Sequence, residues 1–169
     1  MTKVILTADI HLKMYSDDVY DDEGIPLKLN EIINSIKQMI EYGKENDIHD
    51  IFILGDINDT KSVASVRSFI LFSQLIGNNP DFHWHLIGGN HDLCGNVSSS
   101  NFSSIELFSD RENVSTYVIP REIDFYGHSI LILPYYNMEE MKKFVFESKN
   151  SKIVFGHLGL GDASLSSGI

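Results

Sequence analysis

The sequence predicts an α/β domain built on a mostly parallel sheet. Three observations lead there. Short β-rich runs alternate with helical periodicity through the first half of the chain. "DIFILG" (Asp50–Gly55) is a continuous apolar run, as in a strand covered on both faces. Between Leu29 and Ile40 the apolar residues Leu29, Ile32, Ile33, Ile36, Met39 and Ile40 fall on one helical face. Strands separated by helices imply βαβ units and hence parallel pairing.

Each element follows in order. "KVILTA" (Lys3–Ala8) reads as a short first strand. Pro26 fits the first turn of the helix over Leu29–Ile40. After the strand at Asp50, "SVASVRSFILFSQLIG" (Ser62–Gly77) reads as a second helix, closed by Gly77 and the turn "NNP". "HWHLIG" is a third strand. Further on, "VSTYVIP" and "REIDFYGHSILILPY" are β-runs, with a hairpin turn at "YGH". "MEEMKKFVFES" is a modest helix and "KIVFG" a last strand. No internal repeat or linker divides the chain, so one domain over residues 1–169 is the economical reading.

Composition narrows the class. The 169 residues are 43% hydrophobic, enough for one domain with a core. No apolar run approaches the roughly 20 residues needed to cross a bilayer, and the N-terminus lacks the pattern of a signal peptide. A lone cysteine, Cys94, rules out an internal disulfide framework and fits a reducing, cytoplasmic setting. Thirteen Lys and Arg against 24 Asp and Glu give a net charge of −11, with no basic face for long nucleic acid. Part of that charge sits in "SDDVYDDEG", which reads as a solvated loop around Asp17, Asp18, Asp21, Asp22 and Glu23.

The chemistry lies at the strand ends. Asp9 and His11 follow the first strand, Asp56 and Asp59 the second, and Asn90, His91 and Asp92 the third; His157 follows the last. In a parallel sheet the C-terminal strand ends line one edge, where ligands bind. Carboxylate, amide oxygen and imidazole suit Mn²⁺, Fe²⁺ or Zn²⁺ better than thiophilic ions, and two such ions can clamp an in-line displacement at phosphorus. Gly55, Gly88 and Gly89 let the backbone turn sharply from strand to loop. Alone, Asp-x-His is common by chance and Gly-Asp after a strand is often a plain turn. Their joint recurrence at successive strand ends is not. The other histidines read as packing or surface: His83 and His85 share a strand face, His49 lies at the wrong sheet edge, and His128 belongs to the hairpin turn. Cys94 reads as a small packed side chain.

D-x-H (Asp9, His11), G-D-x-x-D (Gly55, Asp56, Asp59), G-N-H-D (Gly89–Asp92) and a later G-H (Gly156, His157) resemble the signature of the calcineurin-like metallophosphoesterases. Within them, "ILTADIHL", "ILPYY" and "VFGHL" resemble nuclease subunits of the SbcCD type, including bacteriophage-encoded repair exonucleases. The resemblance implies a layered α/β/β/α sandwich and a metal-dependent phosphodiesterase acting on DNA through a bridging hydroxide. It implies two divalent ions, Mn²⁺ first, with Fe, Zn or Mg as alternatives. Asp9 and His11 would hold the first, Asn90 and His157 the second, with Asp56 bridging. His91 would stay off the metals and either protonate the leaving oxygen or stabilise the charge on the phosphoryl oxygens, Asp92 would orient His91, and Asp59 would be structural, capping the following helix. A homodimer and a partner ATPase of the SbcC type are implied as well; the apolar residues of the helix Ser62–Gly77 read first as an ordinary core helix and second as a surface for that dimer.

The family's later G-H-x-H motif is absent, and with it the last strands of the fold. Three protein ligands per ion leave coordination sites to water and weaken binding, above all at the second ion. A truncated chain, a split enzyme completed by a second chain, and a non-catalytic interaction module are the alternatives. A small-substrate phosphatase or nucleotide phosphodiesterase is the rival enzyme, and the acidic balance suits it.

Overall fold

A computed structural model describes residues 2–14, 19–61, 65–94, 102–148 and 151–158. The first-half elements are β1 (Ile5–Thr7), α1 (Leu27–Glu45), β2 (Asp50–Leu54), α2 (Val66–Gly77) and β3 (His83–Ile87). After a short 3-10 helix at Ser104–Phe108 come β4 (Val114–Tyr117), β5 (Arg121–Phe125), β6 (His128–Leu133), α3 (Met138–Glu147) and β7 (Ile153–Gly156). Strands β1 to β4 form one parallel sheet in sequence order. A second sheet pairs β5 with β6 antiparallel and β6 with β7 parallel. The result is the mixed α/β fold that the strand–helix alternation predicts.

Strand periodicity sorts two apolar layers. On β2, Ile51 and Ile53 point to the helices and Phe52 to the opposite face. The larger cluster packs Leu29, Ile33, Ile36 and Ile40 of α1 and Phe72, Leu75 and Ile76 of α2 against that helix-side face. The smaller one joins the two sheets through Phe52, Ile87, Tyr117, Ile130 and Ile132. Leu131 and Leu133 are buried at the alternate positions of β6, so both faces of that strand are covered. Each large apolar side chain buried in full stabilises the fold by about 1.5–3 kcal/mol.

Element ends have local causes. Helix α1 runs five residues past the Ile40 that its periodicity marks, because Glu41, Tyr42, Lys44 and Glu45 extend it in solvent while Gly43 stays buried. A Cβ on Gly43 would lie 2.6 Å from the Phe82 ring, so only glycine lets this helix approach. Helix α2 starts at Val66 on a Ser65 cap whose hydroxyl accepts the Ser68 N–H at 3.3 Å; residues 62–64 of the expected helix lie outside the described set. Asp59 therefore does not cap it. The β5–β6 hairpin turns at Tyr126 and Gly127, both with positive φ (51° and 79°), as a two-residue turn requires. No helix among the described residues is long and apolar enough to cross a membrane.

Candidate metal centre

The site begins with backbone. Beyond the ends of β1 and β2 the two loops stay paired: Asp9, His11 and Leu12 donate their N–H groups to the carbonyls of Gly55, Asp56 and Ile57 at 3.1, 3.0 and 2.7 Å. Within this paired segment Asp9, His11 and Asp56 all have positive φ (54°, 50° and 50°). Left-handed backbone costs a non-glycine residue of order 1–3 kcal/mol and persists only where its surroundings enforce it. Here it turns three side chains inward, and their ligand atoms lie within 4.8 Å of one another.

Two further loops reach the same point. The His91 N–H donates to Asp56 Oδ1 at 2.8 Å, which leaves Oδ2 facing His11 Nε2 at 4.0 Å and His157 Nε2 at 3.4 Å. His157 Nδ1 lies 2.9 Å from the Leu54 carbonyl, and Nε2 lies 3.0 Å from Asn90 Oδ1. Each ring nitrogen therefore faces a carbonyl oxygen, and the two contacts fix the orientation of the imidazole. Nε2, Asn90 Oδ1 and Asp56 Oδ2 are thus three ligand-type atoms gathered at one point, with Nε2 3.0 Å from Asn90 Oδ1 and 3.4 Å from Asp56 Oδ2. Asp9, His11, Asp56, Asn90 and His157 are thus brought together at the C-terminal edge of the sheet.

Glycine makes the convergence sterically open. A Cβ on Gly55 would lie 2.3 Å from His157 Nδ1, and one on Gly89 would lie 2.2 Å from Asp56 N and Oδ1. Gly88, grouped with them in the sequence, has only ordinary contacts around that position, the nearest at 3.5 Å.

Asp92 and Asp59 differ from expectation. Asp92 does not meet the His91 ring. Its Oδ1 accepts Asn58 N and Nδ2 at 2.9 and 3.2 Å, and its Oδ2 accepts Gly89 N and Ile57 N at 2.9 and 3.3 Å. It is 1% exposed, and this burial raises its pKa above the usual carboxylate value against the pull of those N–H donors. Asp92 therefore fastens the loop after β2 to the loop after β3. The His91 ring is oriented instead by the Asp59 carbonyl, which faces Nδ1. The Asp59 side chain pairs with Lys13 at 2.7 Å. Main-chain carbonyls carry no sequence signal, so neither Leu54 nor Asp59 was identifiable as an orienting group beforehand.

The remaining expectations divide. His83 and His85 do share a face, with ring centroids 4.7 Å apart. His85 is buried between Asp50 and Tyr117 at 3.0 Å each, a pairing that the strand pattern did not disclose. His49 and His128 are exposed. Cys94 is exposed rather than packed, because it follows the buried Leu93 on the outer side of its loop. In the acidic stretch, Asp21 organises the turn by accepting the N–H groups of Glu23 and Ile25 and the Asn30 amide at 3.0, 2.8 and 3.0 Å; Asp17 and Asp18 lie outside the described residues.

Residues 2–164 match the family of calcineurin-like phosphoesterases. The chain belongs to that family. Among its relatives is exonuclease subunit 1 of Enterobacteria phage T4, 32% identical over 160 residues. The match covers 92% of this phosphoesterase but 45% of the phage protein, so the chain spans just under half the length of that relative. The family implies divalent metal ions, and the donors fit them. Oxygen and imidazole nitrogen 3.4–4.0 Å apart are too distant to hydrogen-bond. A cation about 2.1 Å from each would hold donors roughly 3–3.5 Å apart; the 3.4 Å between His157 and Asp56 lies in that range, and the 3.8 and 4.0 Å from His11 to Asp9 and Asp56 lie just beyond it.

Proposed function

We propose that this phosphoesterase hydrolyses phosphodiester bonds of DNA with two divalent cations, Mn²⁺ by preference. The observation that carries this reading is the position of Asp56. One of its oxygens is fixed by the His91 N–H, and the other faces imidazoles on two sides, His11 and His157. Asp9, His11 and Asp56 would hold one ion; Asp56, Asn90 and His157 would hold the other. When bound, such ions stabilise phosphoryl charge and make water a nucleophile at neutral pH.

The chain's own residues do the rest. With Nδ1 of His91 directed at the Asp59 carbonyl, Nε2 is the nitrogen left to act, and the doubly protonated ring gives its Nε2 proton to the leaving oxygen and keeps the one on Nδ1. His91 stands beside His11, ring centroids 5.2 Å apart and edge to face, close enough to act on a phosphoryl group held there. Asp92 sets the spacing of the two loops that carry Asp56 and His91. The phage relative is by name one subunit of an exonuclease, which supports DNA as substrate and a partner polypeptide for this chain. The exposed Val66 and Ile70 of α2 offer a surface for a second copy.

The test is Mn²⁺-stimulated cleavage of linear DNA and of bis(p-nitrophenyl) phosphate. Asp56→Asn and His91→Ala should each lose activity at least about 100-fold. Calorimetry that detects no Mn²⁺ binding to the folded protein sinks the proposal. A second reading, a phosphodiesterase of small nucleotides, is favoured by the net charge of −11. Cleavage of the aryl ester and of dinucleotides, with DNA untouched, would decide for it.

A further inference from the structure

Beside His91 lies a cavity of about 390 Å³ that the metal-directed residues do not line. Its walls include Thr60, Phe102, Ser104, Glu106 and Leu107. Phe102 and Leu107 are 69% and 73% exposed, which is high for large apolar side chains at a concave site. None of the described residues lining it is Lys or Arg. Glu106 brings negative charge, one oxygen held by the Ser103 N–H at 2.9 Å and the other left as an acceptor. Ser104 Oγ accepts the Asn58 amide at 2.6 Å, so its own proton is left to donate.

These features exclude one ligand chemistry and fit another. A carboxylate without a cation repels phosphate. An aromatic ring with one acceptor and one donor suits a neutral, flat, hydrogen-bonding group. We propose that this cavity takes the nucleobase on the leaving-oxygen side of the scissile phosphodiester, with Phe102 as its stacking surface and Glu106 accepting a base N–H. This rests on the phosphodiesterase reading above. His91 is the residue common to the cavity and the cation site, so a leaving oxygen protonated by His91 Nε2 carries its nucleoside toward Phe102. The base determines how the substrate sits, and the cation site stays indifferent to sequence.

Two readouts test it on the full chain. In the first, Mn²⁺-dependent cleavage is compared for an oligonucleotide and its twin with a tetrahydrofuran abasic residue on the leaving side. The intact base should raise kcat/KM about 10-fold, and Phe102→Ala should bring the ratio near one. Phe102 is exposed, so this variant should fold. In the second, Cys94, the chain's one cysteine and part of the cavity wall, is alkylated with iodoacetamide. Adenosine 5′-monophosphate should slow the reaction several-fold, and ribose 5-phosphate should not. Equal cleavage of both oligonucleotides, or equal protection by the two phosphates, overturns the proposal. Absence of all cleavage with base-dependent protection intact overturns the phosphodiesterase reading while the base site stands.

Discussion

Single residues decide whether the donors can meet. Gly89→Ala should cost stability as well as ligand geometry, since its Cβ would lie 2.2 Å from both the backbone nitrogen and Oδ1 of the buried Asp56. Its Mn²⁺ affinity should fall more than about 10-fold, because displaced ligands weaken a site at least as much as lost supporting contacts do. Titration calorimetry measures this, and unchanged affinity would remove Asp56 from the site. Asp92→Ala should act differently. It strips acceptors from four N–H donors of Ile57, Asn58 and Gly89, and should cost about 3 kcal/mol in urea unfolding. The residues of the candidate site were legible in the sequence because acids, amides and imidazoles announce themselves after apolar strands. The role of Asp92 was not, since an Asp beside a His reads the same whether it touches the ring or the backbone.

At the scale of elements, the sequence named every strand and α-helix of the described residues by period and composition, and what it missed follows from contacts between elements. The extra turn of α1 is polar on its surface and gives no apolar signal, yet Gly43 within it is fixed by the Phe82 ring. The 3-10 helix at Ser104–Phe108 is too short to have a period; its mark is the reciprocal cap between Ser103 and Glu106. Helix α2 gives a clean measurement. Ser65→Ala removes the hydroxyl that accepts the Ser68 N–H, and should lower stability by about 1 kcal/mol. No change in the urea midpoint would show that Ser68 Oγ, bonded to the Ser65 carbonyl at 2.9 Å, closes the turn by itself.

Across the whole molecule, the two sheets meet over a polar latch at the edge opposite the cation site. Tyr126, from the hairpin of the second sheet, donates its hydroxyl to Asp50 Oδ2 at 3.0 Å, and Asp50 Oδ1 meets His85 Nε2 at 3.0 Å. Phe52 stacks on His85 with centroids 3.9 Å apart. Burial works to raise the Asp50 pKa, but hydrogen bonds with His85 and Tyr126 outweigh it and hold the net value below 3.8. An acid with a lowered folded pKa stabilises the fold above its unfolded value, and that stabilisation is lost as pH falls through the folded pKa. Tyr126→Phe should therefore cost about 0.5–1 kcal/mol at neutral pH, with the difference shrinking below pH 3.8.

His83 lies beside the latch, its Nε2 2.8 Å from Ser115 Oγ, and acts in a separate window. Burial, then the nearby His85, lowers its pKa from 6.5 despite the pull of Asp50. The unfolded chain then takes up the proton first, so stability should decline as pH falls from 6.5 toward the folded value. His83→Gln should flatten that decline in pH-dependent urea titrations. An unaltered slope would clear His83 of the effect.

The contact between His157 and the Leu54 carbonyl spans 103 residues of sequence. Asp9, His11, Asp56 and Asn90 all belong to the first sheet's loops, whereas His157 arrives with β7, which among the described residues pairs with β6. During synthesis the ribosome releases the first four long before the fifth. A nascent chain can order the cluster of Asp9, His11 and Asp56 while His157 waits for the hairpin, α3 and β7 to dock. Loop closure over such distances is slow relative to local pairing. Pulse-labelling hydrogen exchange should find the Asp9, His11 and Leu12 amides protected before the His157 amide, which donates to Leu133 O at 2.9 Å. Simultaneous protection would mean that the two halves of the centre mature as one.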